Sequence, residues 1–149
     1  MKWQHPAGFV ADDDAGRIDL EVVHGFLSTS YWSPGVPREV MAKAIAGSLN
    51  VGVYEATGAQ VAYARAVTDR ATFAWIADVF VLESHRGLGL GKFAVSTLLD
   101  HPELQGLRRL MLATSDAHGL YRSYGFEDVE DPGSLLVVKR DAASLYGPS

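Results

Sequence analysis

Arg86 and three glycines on alternate positions, Gly87, Gly89 and Gly91, stand where one kind of chain gives way to another. The β-branched, apolar run Val79-Phe80-Val81 precedes them, and Lys92-Phe93-Ala94-Val95 begins an amphipathic pattern after them. A glycine-rich turn from strand into helix leaves backbone N–H groups without partners at the positive end of a helix dipole. That is a site for a phosphate or pyrophosphate. Spacing narrows the choice. A dinucleotide fingerprint needs G-x-G-x-x-G, whereas these glycines alternate. An ATP-binding loop needs G-x-x-x-x-G-K-[ST], and here Arg86 stands at its first glycine and Phe93 at its Ser or Thr. The plainer alternative is a glycine-rich turn with no ligand.

Other residues of chemical interest lie on either side of this turn. Asp78 interrupts an apolar strand, and its carboxylate has three open uses: accepting a proton, binding a cationic amine, or being satisfied by backbone donors. Asp116 and His118 precede the segment Leu120-Tyr121-Arg122-Ser123-Tyr124-Gly125-Phe126 and offer either a proton path or a helix cap. Tyr31 and Trp32 sit together in a loop, as core closure or as the wall of a cation site.

Read as R-x-x-G-x-G (Arg86, Gly89, Gly91), the first segment resembles the acetyl-CoA loop of the GNAT superfamily of N-acetyltransferases. Leu120 to Phe126 looks like that family's L/F-Y-x-x-x-G-F helix end. The roughly thirty residues between them leave room for one helix and one strand, and the resemblance runs from about Ile18 to Val138. It implies a mixed sheet whose two central strands splay around acetyl-CoA. Backbone N–H groups of Gly87, Leu88, Gly89, Leu90, Gly91 and Lys92 would meet the pyrophosphate, with Arg86 contacting it or bracing the turn. Leu88 and Leu90 are expected to pack. The backbone of Val79, Phe80 and Val81 would pair with the pantetheine amides. Thr114 stands where many relatives carry an Asn for that arm, and a hydroxyl offers fewer bonds than an amide.

The same resemblance makes Tyr121 the acid that meets the departing thiolate, with a packed aromatic as the alternative, and puts Tyr31 and Trp32 beside the acceptor. Tyr124 is expected in the core. Relatives with a direct base carry it where this chain has Trp75 and Ala77, so Asp78 or a water must serve. The implied activity is transfer of acetyl to a primary amine of a small molecule or peptide. A non-catalytic acyl-CoA-binding module on the same scaffold is the second reading. A homodimer fits the scaffold.

Composition sets outer bounds. The chain has 149 residues, enough for one domain spanning 1–149, and 48% are hydrophobic. A net charge of −5 argues against a general nucleic-acid binder. The absence of cysteine excludes disulfides, thiolate metal sites and a cysteine acyl-enzyme, and fits a cytoplasmic chain. No apolar run is long enough for a membrane span, and no signal-peptide pattern opens the chain. Asp12, Asp13 and Asp14 read as a turn feeding a helix rather than as metal ligands.

The elements that must position these groups follow from periodicity. Residues 1 to 7 read as a loose leader and 8 to 11 as a short strand. Helices are expected from about Ile18 to Leu27, Arg38 to Leu49, Gly89 to Asp100 and Ala117 to Tyr124. Strands are expected at 51–56, 60–67, 72–82, 109–114 and 135–139. The fold class is α+β: a single mixed, mostly antiparallel sheet flanked by helices.

Overall fold

The computed structural model describes residues 1–147. They form a six-stranded sheet in sequence order: β1 (Lys2–Gln4), β2 (Val10–Asp12), β3 (Leu49–Tyr54), β4 (Gln60–Thr68), β5 (Phe73–Val81) and β6 (Arg109–Met111). All neighbours are antiparallel except β5 and β6, which run parallel. Helix α3 (Leu90–Asp100) crosses from β5 to β6 on one face. There Leu90, Ala94 and Leu98 meet Val51, Val53, Ala74 and Ile76 in the larger core. Helices α1 (Leu20–Leu27) and α2 (Arg38–Ala46) cover the other face, where Val23, Leu27, Met41 and Ile45 close over Tyr63 and Phe80. Short helices α4 (His118–Arg122) and α5 (Ala142–Tyr146) follow β6.

Local chemistry explains the helix ends. Asp19 caps α1 by accepting from the N–H groups of Glu21 and Val22. Pro37 precedes α2, and α3 stops at His101-Pro102 as the sequence leads one to expect. Gly125, at φ +94°, supplies the left-handed residue that follows α4.

Strand β5 carries a bulge. Its register with β4 shifts between Tyr63↔Phe80 and Arg65↔Ala77, so Asp78 and Val79 together oppose Ala64. Asp78 adopts φ +55°, a left-handed conformation that Asp tolerates better than most side chains.

Three expectations are corrected. Residues 1 to 7 are not a loose leader. Lys2–Gln4 pairs with β2, and the N-terminal amine donates to Asp13 at 2.7 Å, which also binds His101 Nε2 at 2.7 Å. The strand expected over 109–114 pairs only as far as Met111, because the chain then turns away from β5. The strand expected at Leu135–Lys139 does not join the sheet. It follows a one-turn helix at Pro132–Ser134 and stands exposed. The Asp12–Asp14 turn does feed a helical turn at Ala15–Arg17, capped by Asp14.

Candidate active site

Parallel strands β5 and β6 touch only at Phe73↔Arg109, Ala74↔Leu110 and Trp75↔Met111. Beyond Trp75, β5 continues to Val81 with β4 as its strand partner, and the chain after Met111 diverges. The gap is a cleft of about 490 Å³. Residues 75–79 line one wall, residues 112–117 and Tyr121 line the other, and Tyr31 and Trp32 stand across it.

The glycine turn lies at the far end of β5. Arg86 Nε donates to the Val81 carbonyl at 3.3 Å, which favours the bracing role over a free charge. Gly87 and Gly89 adopt φ +84° and +76°, where any other residue is strained, and a Cβ at either would meet nothing within 4 Å. The requirement is therefore for backbone shape with open space in front of it. Gly91 differs: it has no left-handed φ, and a Cβ there would make an ordinary 3.5 Å contact with Val81, so neither shape nor space demands glycine at this position. Among the described residues, the N–H groups of 87 through 92 find no acceptor, and the first bonded one is Phe93 N–H to the Gly89 carbonyl at 3.0 Å. Leu90 is buried in the core as expected, whereas Leu88 is 47% exposed.

Tyr121, on α4, is buried to 9% exposure and faces the cleft. Burial first, then the charges of Asp116, Tyr124 and Tyr31, push its phenol above the ordinary 10.0, so it keeps its proton at neutral pH. Its ring meets Phe126 edge-on at 5.9 Å. Tyr124, expected in the core, is half-buried and donates to the Lys92 carbonyl at 3.1 Å, tying α4 to the first turn of α3.

Asp78 reaches the cleft, and each of its carboxylate oxygens is already bonded. Oδ1 accepts from Trp32 Nε1 at 2.9 Å and Oδ2 from Arg65 Nε at 2.6 Å. A further Arg65 nitrogen donates to Ser48 Oγ at 3.0 Å. The backbone donors expected as one use of Asp78 are not what holds it: its oxygens accept from the side chains of Trp32 and Arg65. Arg65 and Ser48 were missed from the sequence. The available signal was one charged residue in the apolar run from Val61 to Val67.

Tyr31 and Trp32 pack edge to face at 4.9 Å, and the Tyr31 hydroxyl lies 2.8 Å from Ser115 Oγ. The loop between α1 and α2 thus straps the mouth of the cleft to both its walls. Thr114 Oγ1 accepts from the Ala117 N–H at 3.1 Å while lining the cleft. Trp75 and Ala77 line it too and bring no base. Asp116 lies in the cleft. His118 begins α4 beside the free edge of β6. Phe80 stacks on Phe26 at 4.2 Å, so only its backbone is available to a ligand.

The family model described as "Acetyltransferase (GNAT) family" matches residues 20–126. A candidate GNAT-family acetyltransferase of Xanthomonas campestris pv. campestris is 42% identical, with a TM-score of 0.89 over 94% of this chain and 97% of that one. A Gibberella zeae protein named as a candidate acetyltransferase is 27% identical over 94% of this chain and 90% of its own length. A Clostridium acetobutylicum structure described with acetyl-CoA shares the fold at 14% identity and a TM-score of 0.63, covering 89% of this chain and 95% of that one.

Proposed function

This chain belongs to the GNAT family of acetyltransferases, and we propose that it moves an acetyl group from acetyl-CoA directly to a primary amine of a small molecule or peptide. The observation that carries this reading is the row of N–H groups from Gly87 to Lys92, without acceptors, beside a cleft that holds a protonated Tyr121. Unspent donors at the N-terminus of the eleven-residue α3, facing open space at Gly87 and Gly89, fit a diphosphate. The bound coenzyme supplies an activated acetyl thioester.

The chain's own residues divide the remaining work. Residues 87–92 anchor the diphosphate, and Arg86 holds their turn in shape. The unpaired edge of β5 at Val79, Phe80 and Val81 receives the pantetheine amides as an added strand would, and the Thr114 hydroxyl stands opposite. Tyr121 donates its phenolic proton to the leaving sulfur. Tyr31 and Trp32 offer aromatic faces to a cationic amine. Asp78, paired with Arg65, positions Trp32 rather than taking a proton. Alkylamines have a pKa of about 10, so water in the cleft, next to Asp116, carries the amine's proton away. With no cysteine to hold the acyl group, both substrates bind together. That composition also fits a cytoplasmic enzyme, and among the described residues no helix is long and apolar enough to cross a membrane.

Calorimetry with acetyl-CoA, then a thiol-release screen over amines, tests the reading. Binding with release of CoA in the presence of one amine class supports it, and no binding at millimolar coenzyme removes it. A second reading rests on the spent carboxylate of Asp78: a non-catalytic acyl-CoA-binding module. Tight binding with no transfer to any amine favours that reading.

A further inference from the structure

On the face of the sheet that carries α1 and α2, the two helices close over Tyr63 and Phe80 but leave part of that face bare. Val67, Phe73 and Trp75 stand there, 44, 36 and 37% exposed. Strand register explains how they meet. Ala74 and Ile76 point into the larger core, so Phe73, Trp75 and Ala77 point the other way. Val67 is the direct partner of Trp75 across β4 and β5, which sets the two side chains against each other. Trp75 also lines the cleft, so this apolar patch continues the cleft wall outward.

The charges along this surface are one-sided. Among the described residues, no lysine, arginine or histidine lines the cleft, and its charged side chains are Asp78 and Asp116. Asp78 is offset by Arg65, which stands beside Ala77 and is spent on Asp78 and Ser48. That leaves the exposed Asp116 as the charge an acceptor meets. On β6 the next cation in register is Arg109. It pairs with Phe73, two positions from Trp75 and so roughly 7 Å further along the strand. An amine held near Asp116, Tyr31 and Trp32 has a negative neighbour and aromatic faces. A carboxylate or phosphate carried beside that amine meets no cation within the cleft.

We propose that the acceptor is a hydrophobic monoamine: one amine on an apolar body, aromatic or branched aliphatic, with no carboxylate or phosphate. This rests on the transferase reading of the cleft and narrows it. The amine lies toward Asp116 and the aromatic faces of Tyr31 and Trp32. The body lies on Trp75 and reaches Val67, covering apolar surface that the fold leaves in water. An acid group is rejected by repulsion from Asp116 and by losing its hydration with no cation in exchange. A small polar amine is disfavoured because it leaves Trp75 and Val67 uncovered.

Calorimetric titrations use the full chain, alone and saturated with CoA, with phenethylamine, isopentylamine, phenylalanine, ethanolamine and a capped lysine peptide as probes. Phenethylamine and isopentylamine should bind about tenfold or more tightly than the other three. Trp75→Ala should remove that margin. Val67→Lys, at a position open to solvent, should narrow the gap between phenethylamine and phenylalanine by placing a cation beside Trp75. Equal or tighter binding of phenylalanine, ethanolamine or the lysine peptide overturns the proposal. So does a failure of every amine to bind, or a margin unchanged in both variants. Thiol release separates this inference from the reading beneath it. Transfer to an acid-bearing or polar amine in preference keeps the transferase and removes the hydrophobic class. Selective binding of phenethylamine with no release keeps the ligand class and removes the transferase.

Discussion

Strand β5 is bounded by two turns that treat their backbone donors in opposite ways. At its start, the Asp69 carboxylate accepts from the N–H groups of Ala71, Thr72 and Phe73 and from the Thr72 hydroxyl, at 2.6 to 3.2 Å. At its end, the N–H groups of residues 87–92 have no acceptor among the described residues. One turn is completed by chemistry within the chain; the other leaves its donors open. The same contrast recurs in the cleft, where Asp78 has both oxygens bonded and the Tyr121 hydroxyl has no hydrogen-bond partner among the described residues. Residues 87–89 and 92 are exposed, so their unbonded N–H groups meet water at little cost, which leaves them available to the diphosphate of the proposed function.

The comparison can be broken most directly at Gly89. Gly89→Val forces a β-branched residue into φ +76° and should weaken acetyl-CoA binding by about a hundredfold in calorimetry, with the fold retained. Unchanged affinity would mean the free N–H groups serve no ligand. Next comes the uncommitted hydroxyl. Tyr121→Phe should lower kcat by about a hundredfold with little change in coenzyme affinity. Because the folded environment raises this phenol above 10.0, the alkaline fall in wild-type turnover should lie above pH 10.

Asp78→Asn sharpens the contrast from the other side. Removing one partner leaves Arg65, whose side chain is 16% exposed, without its counter-charge, and should cost about 3 kcal/mol of stability in urea melts. The acid limb of kcat should stay where it was; its disappearance would restore Asp78 as the base.

The smallest effect belongs to the turn before β5. Asp69→Ala should lower Tm by a few degrees at neutral pH and leave coenzyme affinity unaltered. The Thr72 hydroxyl first, then the backbone N–H groups, hold this carboxyl well below its ordinary 3.8. A depressed folded value means the stabilisation is complete above the unfolded value. It is lost as pH falls through the folded one. The gap between wild type and Asp69→Ala should therefore close only below pH 3.8.

Local sequence carried the glycine turn, the helix stops at His101-Pro102 and Gly125, and the strands from β3 to β5, because each depends on near neighbours. Arg65 could not be placed that way. Its meaning comes from Asp78, thirteen residues away in the chain and adjacent only once β4 and β5 pair with a register shift. The N-terminal strand was equally hidden, since Lys2–Gln4 is held by pairing with β2 and by an amine-to-Asp13 contact that no periodicity signals. At Leu135–Lys139 the strand pattern is plain in the residues, but nothing within the sheet of the same chain meets it.

The extra residue at Asp78 and Val79 has a wider effect than placing one carboxylate. Ala74 and Ile76 face the larger core before it, and Val79 and Val81 face that core after it, while Phe80 belongs to the opposite one. The bulge is thus a half-step change of phase that lets a single strand change which parity it turns inward. A regular strand with every residue kept would send Val79 and Val81 to the side of α1 and α2 and Phe80 against α3. Deleting Asp78 should instead restore an unbroken ladder with Tyr63↔Phe80 and Arg65↔Ala77 intact, leaving both cores filled and taking away only the carboxylate.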